Sequence, residues 1–199
     1  MREFVLLSRQ GATGSNLNTS QLVGAGLDVV ARCISAAFCV SGHTRRDVIL
    51  HAFLNGPPSP PVYLKFDGNY MKSLDPREAG IGHVILEALK SLKGGSAPQG
   101  VTASRISLER FIREFSVGRR MFVLEEGGKD IGEVDLTGAI FILGDKVGLP
   151  KKEEAFVERL GAEKISLGPT RYFSSHCIII LNYELDRRRL VDDLKGEAI

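Results

Sequence analysis

The chain has 199 residues, 43% of them apolar and 25% charged, with a formal net charge of +2. That is an ordinary globular composition, long enough for one substantial core, and its small net charge means that any basic nucleic-acid surface must be local. No window approaches the ~18 unbroken apolar residues of a membrane-spanning helix, and Met1-Arg2-Glu3-Phe4 lacks the apolar core of a secretion signal, so a cytoplasmic protein with no membrane partner is expected.

Arg2 to Leu7 reads as a buried strand, and Ser8 to Asn16 as a polar, glycine-bearing and mobile loop at that strand's carboxyl edge. Leu27, Val30, Ile34, Ala37 and Phe38 recur at helical spacing, with Asp28 in the first turn and Gly42 beyond the end, which predicts a core helix from Leu27 to Val40. Asp47 to Leu54 is the next strand. The prolines between Asn55 and Pro61 exclude helix and central strand, and Val62 to Phe66 reads as a short strand. Asp75-Pro76-Arg77-Glu78 combines an N-cap acid, a first-turn proline and a glutamate, predicting a helix to about Leu92 that Gly94-Gly95 stops. Ser96 to Thr102 reads as a loop, after which Ser107 caps an amphipathic helix carrying Leu108, Phe111, Ile112 and Phe115. Lys152 to Leu160 is a helix closed by Gly161. Tyr172 to Arg188 is ambiguous, since Ile178-Ile179-Ile180-Leu181 fits a strand, but Phe173, Cys177, Ile180, Leu181 and Leu185 keep helical spacing and favour helix. With no internal repeat and no convincing linker, residues 1–199 are expected to form a single domain.

Three apolar, β-rich runs end at glycine loops. Met121 to Leu124 leads into Glu125-Glu126-Gly127-Gly128, Phe141 to Leu143 into Gly144-Asp145-Lys146-Val147-Gly148-Leu149-Pro150, and Lys164 to Leu167 into Gly168-Pro169. Strands that end this way and feed helices build α/β sheets, whose ligands sit at the carboxyl ends, so a pocket is expected after Leu124, Leu143 and Leu167. Glycine at 144, 148 and 168 lets backbone donors and acceptors approach a ligand, and apolar strand ends suit an adenine face better than a phosphate. Neither a Walker lysine followed by Ser/Thr nor a G-x-G-x-x-G after a strand is present. Glycines that merely end strands are the alternative reading. Cys33, Cys39 and Cys177 are odd in number, lie in apolar surroundings and show no C-x-x-C spacing, so neither a disulfide framework nor a metal site is expected.

The segments Phe141 to Pro150 and Ile165 to Pro169 resemble the SPOUT superfamily of S-adenosylmethionine-dependent RNA methyltransferases. Met1 to Leu6, Gly26-Leu27-Asp28-Val29, Arg45-Arg46-Asp47-Val48 and Ser175-His176-Cys177-Ile178-Ile179 look like the archaeal tRNA pseudouridine-54 N1-methyltransferase family, and the similarity spans nearly the whole chain. The resemblance implies a mostly parallel sheet flanked by helices, a C-terminal deep trefoil knot with the cofactor site within about 119–190, a homodimer, tRNA as substrate and S-adenosylmethionine as cofactor. It implies cofactor contacts at Leu124, Gly144, Leu167, Gly168 and Cys177. Cys177 also reads as a small buried apolar residue, and His176 as a pocket wall or a packing residue.

The implied reaction is in-line attack of pseudouridine N1 on a sulfonium methyl group, which requires loss of the N1 proton and collinear nitrogen, carbon and sulfur. Asp47 and Arg46 are the candidate catalytic pair, Asp47 orienting the base or accepting its proton, and Arg9, Arg45, Arg46 and Tyr172 are candidate RNA contacts. Each also reads as a solvated or packing residue. Arg119-Arg120 and Arg187-Arg188-Arg189 are further basic clusters. Two rivals are the same chemistry on a pseudouridine of small-subunit ribosomal RNA, and a non-catalytic RNA-binding or assembly factor that keeps the knot for dimerisation.

Overall fold

The computed structural model describes residues 1–196, with side-chain surroundings through residue 189. Its centre is β1 (Arg2–Ser8), a seven-residue strand whose two faces are both covered, so its sequence is a near-continuous apolar run rather than an alternation. β1 pairs in parallel with β4 (Val48–Leu54) on one side and β8 (Ile140–Leu143) on the other. Beyond β8 lie β7 (Met121–Asp130) and then β9 (Glu163–Ser166), both parallel. Beyond β4, β5 (Val62–Asp67) and β6 (Val101–Ser104) are antiparallel. The sheet order is β6-β5-β4-β1-β8-β7-β9, so five adjacent strands run the same way. The mostly parallel α/β sheet expected from the sequence is what the chain forms.

Helices cover both faces. Phe4, Leu6, Leu50, Phe141 and Leu143 meet α1 (Asp28–Phe38), α2 (Glu78–Ser91) and α5 (Ser174–Gly196). Val5, Leu7, Phe53 and Ile142 meet α3 (Leu108–Phe115) and α4 (Lys151–Arg159), with Phe111 at the middle of an aromatic cluster that includes Phe53 and Tyr63. Asn182 fixes α5 in place: its amide donates to Ala36 O (3.1 Å) and its Oδ1 accepts from Arg2 Nη1 (3.1 Å), so one buried side chain ties α5 to α1 and β1.

Several boundaries differ from the sequence reading. The first helix ends at Phe38, because Cys39–Val40 (β2) and His43–Thr44 (β3) form a two-stranded antiparallel turn. Arg77 precedes α2 with no capping side chain; Asp75 instead accepts from the Arg77 backbone and guanidinium. The loop predicted over Ser96 to Thr102 contains the start of β6, a four-residue edge strand. β7 does not stop at Gly127-Gly128 but resumes its pairing at Lys129↔Ile165 after a bulge. Residues 8–16 are held rather than loose, since Ala12 N donates to Ala25 O (2.9 Å), Thr13 N to Pro57 O (2.8 Å) and Gly56 N to Gly11 O (2.9 Å).

At the amino end of β1 a buried ionic group stabilises the sheet. Glu3 Oε2 accepts from Arg119 Nη1 (2.8 Å) and lies 3.5 Å from His51 Nε2, an atom with no hydrogen-bond partner among the described residues. Burial alone would raise the Glu3 pKa, but the contacts with His51 and Arg119 outweigh it and hold the carboxyl at about 2. A folded-state value below the ordinary 4.5 contributes stability that is complete above about pH 5 and is lost as the pH falls from there towards 2. Urea midpoints should therefore find Glu3→Gln less stable at pH 7, by on the order of 2 kcal/mol after allowance for solvent screening, with a flatter decline between pH 5 and pH 3. Acid limbs of equal steepness in the two proteins would contradict this assignment.

Candidate functional site

Because β8, β7 and β9 are adjacent and parallel, their loops meet at one edge of the sheet. The β8 loop folds back tightly, with Gly148 N donating to Asp145 O (2.9 Å); a Cβ on Gly144 would fall 2.0 Å from the Gly148 carbonyl carbon, so no larger residue permits this turn. The β9 loop turns on Ser166, whose buried Oγ lies 3.1 Å from both the backbone N and O of Gly168. Leu124, at the start of the β7 bulge, and Leu167, just past the end of β9, are half-buried and pack on the core. The amino end of α5 seals the group: Ser174 Oγ donates to Gly144 O (2.6 Å), while Arg171 Nε reaches Glu126 Oε1 (2.6 Å) and links the third loop to the first. Leu124, Gly144, Leu167, Gly168 and Cys177 thus belong to one continuous region, made of three loops and the first turn of α5.

The chemistry of this region is that of backbone groups on an apolar shelf. Cys177 is buried, its Sγ 3.9 Å from Tyr172 O, and burial pushes its thiol up to about 11, so it is a neutral thiol at physiological pH. His176 is exposed, its ring edge-on to Phe173 at 5.6 Å. Among the described residues no group of three His, Cys, Asp or Glu side chains converges as a metal site would require. Tyr172 stands 42% exposed beside the third loop, as a stacking residue would have to.

Arg9 reaches the same edge from the loop after β1. Its backbone N and guanidinium both bind Asp145 in the β8 loop, at 3.1 to 3.3 Å. The sequence reading missed Asp145. Its signal was local and weak: an acid two residues before Val147, whose N it accepts from at 3.1 Å, as in an Asx turn.

Arg45, Arg46 and Asp47 are not brought to these loops. They precede β4, at the amino ends of the parallel strands, a strand length or about 20 Å from the glycine edge of the same chain. Arg2 Nε lies 3.3 Å from Asp47 Oδ2, Arg45 pairs with Asp186 (2.5 Å), and Arg46 donates to the carbonyls of Gly68 and Met71. A cleft of about 530 Å³ opens here, lined by Arg2, Asp47, Leu136 and Arg187 to Arg189, but its cations are largely matched by carboxylates of the same chain. Arg119 and Arg120 are likewise paired, with Glu3 and Asp135. A second cleft of about 510 Å³ lies at the carboxyl edge beside the β1 loop, bounded by Gln10, Ala12, Leu17 and Pro57.

Comparison with known proteins gives this geometry a context. Residues 1–190 match the family described as "Putative SAM-dependent RNA methyltransferase". The protein named tRNA (pseudouridine(54)-N(1))-methyltransferase of Methanocaldococcus jannaschii is 33% identical, over 96% of this chain and all of its own length. The protein of that name from Methanocella arvoryzae is 37% identical over 94% of this chain and all of its own length. In fold, the chain is similar to the crystal structure of Archaeoglobus fulgidus Nep1 bound to S-adenosylhomocysteine, with a TM-score of 0.63, 15% identity and coverage of 95% of this chain and 99% of the other. With a family model that spans nearly all of it and full-length relatives above 30% identity, the chain belongs to the SAM-dependent RNA methyltransferase family.

Proposed function

We propose that this protein methylates N1 of pseudouridine 54 in the T-loop of tRNA, using S-adenosylmethionine bound at the β7, β8 and β9 loops. The observation that carries this is the convergence of three glycine-bearing loops on a half-buried apolar shelf at the carboxyl edge of parallel strands, in a chain whose full-length relatives bear that activity's name. The residues present suit the cofactor: Leu124 and Leu167 offer apolar surface to an adenine, and the backbone around Gly144 and Gly168 offers donors and acceptors to its edge. Cys177 supports the shelf from α5 as a small neutral side chain. When bound, S-adenosylmethionine supplies an electrophilic methyl group on sulfonium.

The chain's own residues then have three tasks: to hold the target base, to keep nitrogen, methyl carbon and sulfur in line, and to favour the anionic base once N1–H is lost. With the cofactor in place, these residues would hold N1 facing the sulfonium methyl group while the N1 proton leaves to a base or to water. The Gln10 cleft lies on the correct edge for the target nucleoside, Arg9 offers a cation beside it, and Tyr172 offers an aromatic face to a base taken out of its stack. Asp47 and Arg46 remain in this reading only as groups that a second copy would have to deliver, since in their own chain they stand at the opposite edge.

A homodimer fits the outer face of α5, where Ile179 and Tyr183, one helical turn apart, are 52% and 64% exposed, with Phe173 just before the helix 58% exposed. A trefoil-knotted thread is supported by the strand order, in which β8 lies between β1 and β7 and β9 returns beyond β7. No described helix is long and apolar enough to cross a membrane, and we infer that the protein works in the cytoplasm, where its tRNA substrate is.

Nucleoside mass spectrometry on tRNA transcripts with and without pseudouridine at position 54, each incubated with labelled S-adenosylmethionine, should find N1-methylpseudouridine in the former alone. Label on a small-subunit ribosomal RNA pseudouridine instead would move the substrate, and cofactor binding without any methylation would favour an assembly role. Cys177→Ala should keep cofactor affinity within about tenfold and leave the pH–rate profile unchanged between pH 7 and pH 9, because a thiol with so high a pKa takes no part as thiolate. A lost alkaline limb in that variant would assign the thiol a chemical role.

A further inference from the structure

Asp145 is a carboxylate that the fold buries where two loops of the proposed site meet. Its side chain is 7% exposed, against 37% for Arg9. Oδ2 accepts from the Arg9 backbone N (3.1 Å) and Nε (3.3 Å), while Oδ1 accepts from Arg9 Nη2 (3.1 Å) and Val147 N (3.1 Å). Four donors from the β1 loop and the β8 loop therefore converge on one side chain. Burial works against the charge, but these hydrogen bonds outweigh it and hold the Asp145 carboxyl below its ordinary value, while Asp145 raises the Arg9 guanidinium. Ordinary surface ion pairs are weak and exposed on both sides. This pair instead has a buried acceptor, a side-on guanidinium fork and two backbone donors, which is how a cation is held in one orientation.

The side-on grip uses Nε and Nη2 and leaves Nη1 with no hydrogen-bond partner among the described residues. A partly exposed, oriented guanidinium with a free edge suits an oxygen anion of a polynucleotide backbone. We propose that Asp145 is a positioning residue for methyl transfer: it fastens Arg9 to the Gly144 loop, so that the free edge of the guanidinium meets an RNA phosphate next to the cofactor. This rests on the methyltransferase reading above. It makes the cofactor loop and the substrate loop one mechanical unit.

The test is a double-mutant cycle of Arg9→Ala and Asp145→Asn in the full-length protein, read as tRNA affinity by filter binding and S-adenosylmethionine affinity by calorimetry. Asparagine keeps an oxygen for Val147 N, so the β8 loop retains its turn. Each single variant should lose about tenfold in tRNA affinity and the double variant no more than either, as for two residues acting through one contact. Cofactor affinity should stay within about twofold, and the slope of log affinity against log salt should fall by about 1 in Arg9→Ala. Arg9→Lys, which keeps the charge but not the fork, should recover only part of the loss. Unchanged tRNA affinity in Asp145→Asn, losses that multiply in the double variant, or losses matched by cofactor affinity would each overturn the proposal. Because affinity is measured rather than turnover, a wild-type protein that binds tRNA yet methylates no pseudouridine would overturn the assigned reaction and leave this cycle to be judged on its own values.

Discussion

The structure depends on how closely the backbone of its last three parallel strands can approach itself. β8 lies between β1 and β7 although β7 precedes it in the chain, and β9 returns to the far side of β7. That order brings the segments that follow these strands together at one edge of the sheet, with two very close backbone contacts. A Cβ at Gly128 would meet the backbone of Lys164 and Ile165 at 2.6 to 2.7 Å, and one at Gly144 would meet Gly148 and Leu149 at 2.0 to 2.2 Å. Two glycines, one in the β7 bulge against β9 and one in the turn of the β8 loop, are therefore conditions of the fold. The same absence of side chains leaves main-chain N–H and C=O groups at the surface, where the parallel strand ends collect them into one patch.

The two ends of the sheet use charge differently. At the amino end, Arg2, Arg45, Arg119, Arg120 and Arg188 each face a carboxylate of the same chain, so a cleft that is basic by composition is an internal ion network. At the carboxyl end, Arg171 pairs with Glu126, and the buried carboxylate of Asp145 holds Arg9 in place. A ligand recognised by shape and main-chain hydrogen bonds suits the second end. One attracted by charge alone would find most of the first already neutralised, which is why the larger cleft is not the better site.

Much of this was legible in the sequence. Apolar runs of four to seven residues gave β1, β4, β5 and β8, and Ser107 caps α3 by accepting from Arg110 N as its position suggested. The glycine loops pointed to the same sheet edge that the proposed cofactor region occupies, because each strand and its loop are consecutive in sequence. What was missed depends on partners far along the chain. β6 is short and polar enough to resemble a loop, and its pairing with β5 alone makes it a strand. The end of β7 carries charges and glycines that suggest a turn, yet β9 supplies it with hydrogen-bond partners. Asp145 and Arg9 are 136 residues apart, and no local pattern joins them. Arg45-Arg46-Asp47 stood out as a charged triplet, but which end of the sheet it occupies follows only from the parallel register of β4 with β1.

The central claim is that cofactor binds the carboxyl edge of β8, β7 and β9. Backbone amide chemical shifts measured by NMR during titration with S-adenosylhomocysteine test it directly. The account predicts that the largest shifts fall on Leu124, Gly127, Gly144, Leu167 and Gly168 and on the first turn of α5. Shifts concentrated instead on Arg2, Leu136 and Gly138, around the cleft at the amino edge, would contradict it.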